Sequence, residues 1–275
     1  MTQKIDESHI IEKCELLLED LEIDDVPVNL NMVGSYLGVS DIQESDIAEA
    51  GKIIPQLEGG YIVLIRKTDS SGRKRFTTAH ELGHIIVPGG IGNIEIIDYE
   101  VGEFDKHRTI EFLCDVAAAS LLMPKKVFDE FVRGKSFSLQ TVMDISEKFD
   151  VSLEAAALQM VKRDINKRAV VVWEVMHKPT EVILLATPSL PGMEEFQPPK
   201  QIRVMYGYGL SSKNHIPKHK SLQEDQHIIE NAFNNDRKIS RGNQTLHFSE
   251  NEGLESHCEA MMTLEGRVIS ILRLN

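Results

Sequence analysis

The chain has 275 residues, 41% hydrophobic and 27% charged, which are ordinary globular values; they exclude disorder throughout and leave room for a buried core in one large or two medium domains. The formal charge of −13 is unevenly placed: residues 1–50 hold thirteen acidic residues against two lysines, whereas residues 201–245 hold seven basic residues against four acidic ones. An acidic front repels phosphate backbones and suits a basic protein partner, although solvated helix faces account for most such runs.

Residues 7–21 carry Ile10, Ile11, Cys14, Leu17 and Leu18 at helical spacing, and a short second helix is expected over 30–37, with Gly38 as its stop. "GKIIPQ" and "YIVLIRK" read as two strands, followed by the polar turn "TDSSGRK". A helix is then expected from Arg75 or Phe76 until Pro88-Gly89-Gly90 ends it, with loop and short strand over 91–106. A second strong helix spans 109–122. Three short helices follow, "PKKVFDEFV", "SLQTVMDISEKFD" and "SLEAAALQMVKRD", with Ser138 and Ser152 as N-caps. In outline the trio resembles a helix-turn-helix, but an acidic chain makes packing the better explanation. Beyond residue 168 the chain turns β-rich: "AVVVWEV", "EVILLA", "QIRVMYGY", "TLHFS", "HCEAMMTL" and "RVISILRL", interrupted by one helix over 221–233.

Cys14, Cys114 and Cys258 are odd in number and far apart, so a disulfide framework is not expected and a reducing compartment is favoured. The opening "MTQKIDESHI" lacks the basic-then-apolar pattern of a secretory signal, and runs such as "YIVLI" are too short to span a bilayer. A cytoplasmic protein without a membrane segment is therefore expected.

The chemistry concentrates in "FTTAHELGHIIVPGG". Residues four apart share a helix face, so His80 and His84 can reach one ion, and two neutral imidazoles suit zinc, with another divalent ion such as manganese as a substitute. Glu81, beside the first ligand, can act as general base on a water that the metal activates. Twenty-seven residues after His84 stand Glu111 and Asp115, again four apart on a helix. Glu111 completes a His2Glu set with an open fourth position, and Asp115 can accept the second ring N–H of a ligating histidine. Two core histidines and two surface carboxylates would be the bland alternative, and the coincidence of both pairs argues against it. His107, just before Glu111, is a candidate to stabilise an oxyanion. His247, His257 and Cys258 could form a second metal site, but their spacing argues only weakly for one.

These residues carry a family resemblance. "RFTTAHELGH", followed by Glu111, Asp115, Ala118 and the run Leu121-Leu122-Met123-Pro124, resembles the ImmA/IrrE family of bacterial metallopeptidases. Phe149, Val151 and Ser152 match the family's next feature, so the resemblance covers roughly residues 5–165. The departures are Cys114 where the family has Ala, Asp115 for Asn, Ala117 for Phe, and Gln159 where an Arg is frequent; none removes a ligand. Cys114 has two readings: a regulatory thiol that occupies the open metal position and leaves on oxidation, or a small buried residue in an alanine-sized site, which is the better supported.

The resemblance implies a zinc-dependent endopeptidase that cleaves a partner helix-turn-helix repressor and so induces a stress, DNA-damage or phage-defence operon. The competing reading is a non-catalytic metal protein that sequesters a repressor or toxin. The expected fold class is α+β: a helical zincin-like peptidase core over 1–125 with a small sheet, a helix-turn-helix-like extension over 126–167, and a separate α/β domain, GAF-like in outline, over 168–275. This last domain would bind a small-molecule or nucleic-acid signal, with Lys213, Lys218 and Lys220 as phosphate partners, or serve dimerisation or docking.

Overall fold

The structure, a computed structural model, describes residues 6–91, 103–186, 198–210, 216–223, 226–235, 238–247 and 253–274, with the side chains of 103–107, 184, 246, 247 and 254 excepted. Helices and two separate sheets make it an α+β protein. The chain divides into two compact units, residues 1–135 with 144–152, and residues 136–143 with 153–275.

The first unit opens with helix α1 (Glu7–Asp20), where Asp6 accepts the backbone N–H of Ser8 and His9 as N-cap. Its face of Ile10, Cys14, Leu17 and Leu18 is buried, as the spacing requires. Helix α2 (Leu30–Tyr36) is capped by Asn29 and stops at Gly38, whose φ of 84° lies in the left-handed region that glycine tolerates. Three strands follow: β1 (Val39–Ser45), β2 (Gly51–Pro55) and β3 (Tyr61–Arg66), in the order β1-β3-β2, with β3 parallel to β1 and antiparallel to β2. The central β3 buries Val63 and Ile65. β1 was not expected from the sequence, because "VSDIQES" buries only Val39 and so carries no strand pattern.

Helix α3 (Ser71–Ile86) starts four residues before the expected Arg75, so most of "TDSSGRK" is its first turn rather than a connection. Tertiary bonds hold this weak segment in place: Lys74 meets Glu44, and Arg75 donates to the Val28 carbonyl and lies by Asp150. Lys13 donates to the Ile86 carbonyl at the other end, placing a cation on the negative helix terminus. Gly90 then folds back so closely that a Cβ there would run into the His84 carbonyl, and Gly89 before it has a φ of 79°, in the left-handed region that glycine tolerates. Residues 92–102, where a short strand was expected, lie outside the described residues.

Helix α4 (Glu103–Leu122) begins six residues earlier than expected and packs along α3. Helix α5 (Lys125–Val132) buries Phe128 and Val132, and Phe149 at the end of α6 (Leu139–Phe149) stacks against Phe128 and Phe131. Ser138 caps α6 as expected, accepting the Thr141 N–H.

In the second unit helix α7 (Leu153–Lys162) is followed by β4 (Arg168–Met176), α8 (Pro179–Ala186), β5 (Gln201–Gly209), α9 (His227–Asn234), β6 (Ser240–His247), β7 (Gly253–Met262) and β8 (Val268–Arg273). The strands form one antiparallel sheet in the order β5-β4-β8-β7-β6. The run Ala169 to Trp173 is buried on both faces, the pattern of a strand covered on each side; α7 lies against it, and Ile229 and Ala232 of α9 join its core. Trp173 donates to Ser270 across the neighbouring strand at 2.8 Å.

Two expectations here are corrected. "EVILLA" is helix α8, not a strand: Pro179 supplies a helical φ at the first position and Glu181 reaches back to the Lys178 N–H at 2.7 Å, a start that outweighs the β-branched run. The helix expected from 221 starts only at His227, because Ser221 bridges to Arg203 at the edge of β5.

Candidate metal centre

Helices α3 and α4 approach closely because α3 has no side chain at Gly83. A Cβ there would stand 3.0 Å from the Cys114 carbonyl oxygen and 3.1 Å from its Cα. The close approach brings Glu111 of α4 under the two histidines of α3. Glu111 lies 3.2 Å from His80 Nε2 through one carboxylate oxygen and 3.7 Å from His84 Nε2 through the other. The donor atoms of His80, His84 and Glu111 all lie within 4.8 Å of one another, the one such group among the described residues. Donors of a tetrahedral zinc site, with bonds of about 2.0–2.2 Å, stand about 3.3–3.6 Å apart. Each imidazole thus has one oxygen of Glu111 near the spacing that a shared ion requires, and two imidazoles with one carboxylate suit zinc.

Around this group the charges are ordered by α4. Asp115 lies 2.9 Å from His80 Nδ1, so the outer nitrogen of that ring donates to a carboxylate. Burial alone would lower the His80 pKa; the hydrogen bond to Asp115 and the negative charges of Asp115, Glu111 and Glu81 outweigh it and hold the pKa above the usual value. Glu81 is 7% exposed. Burial pushes its carboxyl up to about 7, with His80 opposing and Glu111 adding to the shift. It packs on the sheet edge at Gly51 of β2, where a Cβ would stand 2.6 Å from Glu81 Oε1. Gly51 was missed in the sequence, since nothing in "GKIIPQ" announces that a carboxylate needs its place.

Cys114 is fully buried, and its sulfur lies 3.4 Å from His84 Nδ1, the ring nitrogen other than the one that approaches Glu111. It is not a member of the converging donor group. Burial, followed by the charges of Glu111, Asp115 and Glu81, raises its pKa strongly and keeps it a thiol. The His107 and His247 side chains lie outside the described residues. His257 and Cys258 are neighbours on β7 and point to opposite faces, so they cannot share an ion; His257 turns to Asn243, while Cys258 joins the core.

A helix-borne HExxH pair met by a carboxylate from the next helix, beside a small sheet, has the arrangement of a metallopeptidase-type site. Residues 35–160 match the sequence profile of the IrrE N-terminal-like domain, and this part of the chain is similar to the ImmA/IrrE metallopeptidases. The chain is 28% identical over 116 residues to the radiation response metalloprotease IrrE of Deinococcus deserti, and 32% identical over 103 residues to that of Deinococcus radiodurans. The matched parts are 39% and 37% of this chain and span only 40% and 31% of those relatives. In fold, a Mycobacterium tuberculosis transcriptional regulator is similar over 96% of this chain and 76% of its own length, with a TM-score of 0.57 at 11% identity.

Proposed function

We propose that the protein is a zinc-dependent endopeptidase that cleaves a partner helix-turn-helix transcriptional repressor and thereby induces a stress, DNA-damage or phage-defence operon. The observation that carries this reading is the convergence of His80, His84 and Glu111 beside a buried Glu81.

His80, His84 and Glu111 hold the ion, zinc or another divalent ion such as manganese. When bound, such an ion polarises a peptide carbonyl and lowers the pKa of water to about 7. Glu81, with its carboxyl near 7, takes the proton of the attacking water and passes it to the leaving amine. Asp115 holds the His80 ring with Nε2 toward Glu111. The family resemblance supports a repressor as substrate, and the acidic residues of the first fifty suit a basic DNA-binding partner. Residues 168–275, whose sheet has its own core, serve as a GAF-like sensor of a small-molecule or nucleic-acid signal. No helix among the described residues is long and apolar enough to cross a membrane, and the three cysteines are free, as in a reducing cytoplasm.

The test pairs the chain with candidate helix-turn-helix repressors, with and without chelator. Glu81→Gln is expected to slow cleavage by about 10²–10⁴-fold while zinc content and repressor binding stay as in the wild type. Cleavage at the wild-type rate by that variant would overturn the role of Glu81. Normal derepression in cells without any cleavage would assign sequestration instead.

A further inference from the structure

We propose that Cys114 is a positioning residue for His84: its sulfur accepts the Nδ1–H of that ring and so directs Nε2 into the donor group. The inference rests on the metal centre proposed above and names a part of it that the ligand spacing does not include.

A neutral imidazole carries one N–H, so a ring that offers Nε2 as a donor atom must bear its proton on Nδ1. In His80 that proton goes to Asp115 at 2.9 Å. In His84 the Nδ1 faces the Cys114 sulfur at 3.4 Å, while Nε2 lies 3.7 Å from Glu111. Two histidines one turn apart on α3 are thus met by two consecutive residues of α4. The sulfur has little freedom to leave, because Cys114 is fully buried and its backbone stands where Gly83 leaves no gap. Sulfur is a weaker acceptor than a carboxylate, so the two rings are held unequally, His80 firmly and His84 more softly.

The experiment measures zinc affinity by competition with a chelator, together with the melting temperature of chelator-treated protein. The variants are Cys114→Ala, Cys114→Val and Asp115→Ala in the full chain. Valine fills the thiol's volume without offering an acceptor, which separates the hydrogen bond from packing. Both Cys114 variants are expected to bind zinc about tenfold more weakly, Asp115→Ala more weakly still, and Cys114→Val to melt as the wild type does. Wild-type affinity in Cys114→Val would overturn the inference and leave the metal centre standing; a wild type that binds no zinc would overturn both. A second readout needs no variant: nitrogen-15 spectra of zinc-loaded wild type are expected to show a protonated His84 Nδ1, and a His84 bound through Nδ1 would refute the assignment.

Discussion

Glu81 and Glu111 are both acids at the candidate metal centre, yet their surroundings differ in the way that their proposed tasks require. Glu111 is 40% exposed and meets two imidazoles, surroundings that suit its proposed place as a ligand. Glu81 is buried, and its carboxyl rises to about 7 from an ordinary 4.5. A carboxyl whose pKa is raised on folding favours the folded state fully below the unfolded pKa and loses that contribution as pH rises through the folded one. In chelator-treated protein the wild type should therefore lose stability relative to Glu81→Gln between pH 4.5 and about 7. A shift of that size corresponds to an order of about 3 kcal/mol. Urea midpoints of the two proteins at pH 5 and pH 8 read this directly, and an equal gap at both values would show that Glu81 does not titrate in this range. The histidines and Glu81 were legible in the sequence because a helix places residues four apart on one side. The Cys114–His84 contact was not, because it depends on how two helices meet.

At the scale of elements, the site is an agreement between α3 and α4, and Gly83 sets its terms. Alanine at position 83 would improve helix propensity by about 1 kcal/mol. Its Cβ, however, would stand 3.0 Å from a carbonyl oxygen and 3.1 Å from a Cα, backbone atoms that cannot turn aside as a flexible side chain can. Overpacking of this kind costs about 1–3 kcal/mol, so the expected outcome of Gly83→Ala is a less stable protein with weakened zinc binding as Glu111 is pushed from the histidines. Denaturant unfolding and zinc titration test it; unchanged affinity would mean that the helices can separate without opening the donor group. The element-scale surprises have one cause. β1 is polar, the first turn of α3 has poor propensity, and α8 has strand-like composition, so in each case a partner or a cap outweighed the local pattern.

For the whole molecule, all three proposed ligands belong to the first compact unit, while the second carries its own apolar core around β4. An ion that binds only the folded form stabilises it by mass action, by about 4 kcal/mol at a thousandfold excess over Kd. Calorimetry with and without zinc should thus show unfolding of the first unit moving to higher temperature, with a zinc-insensitive component from the second. His80→Ala should abolish the shift. A wild-type profile unaffected by zinc would argue against the metal centre.

By itself the sequence singled out His80, His84 and Glu111 as candidate ligands, Glu81 as candidate base and Asp115 as a candidate partner of a histidine, and it showed a helical part followed by a β-rich one. These follow from periodicity and donor chemistry, which are local properties of the chain. Tertiary structure alone decided why Gly83 and Gly51 are glycines, why Glu81 is buried enough to shift its pKa, and what the Cys114 sulfur touches. It also decided the strand order β5-β4-β8-β7-β6. Each of these depends on residues distant in sequence coming within a few ångströms, and close packing makes such distances a property of the assembled core rather than of any segment.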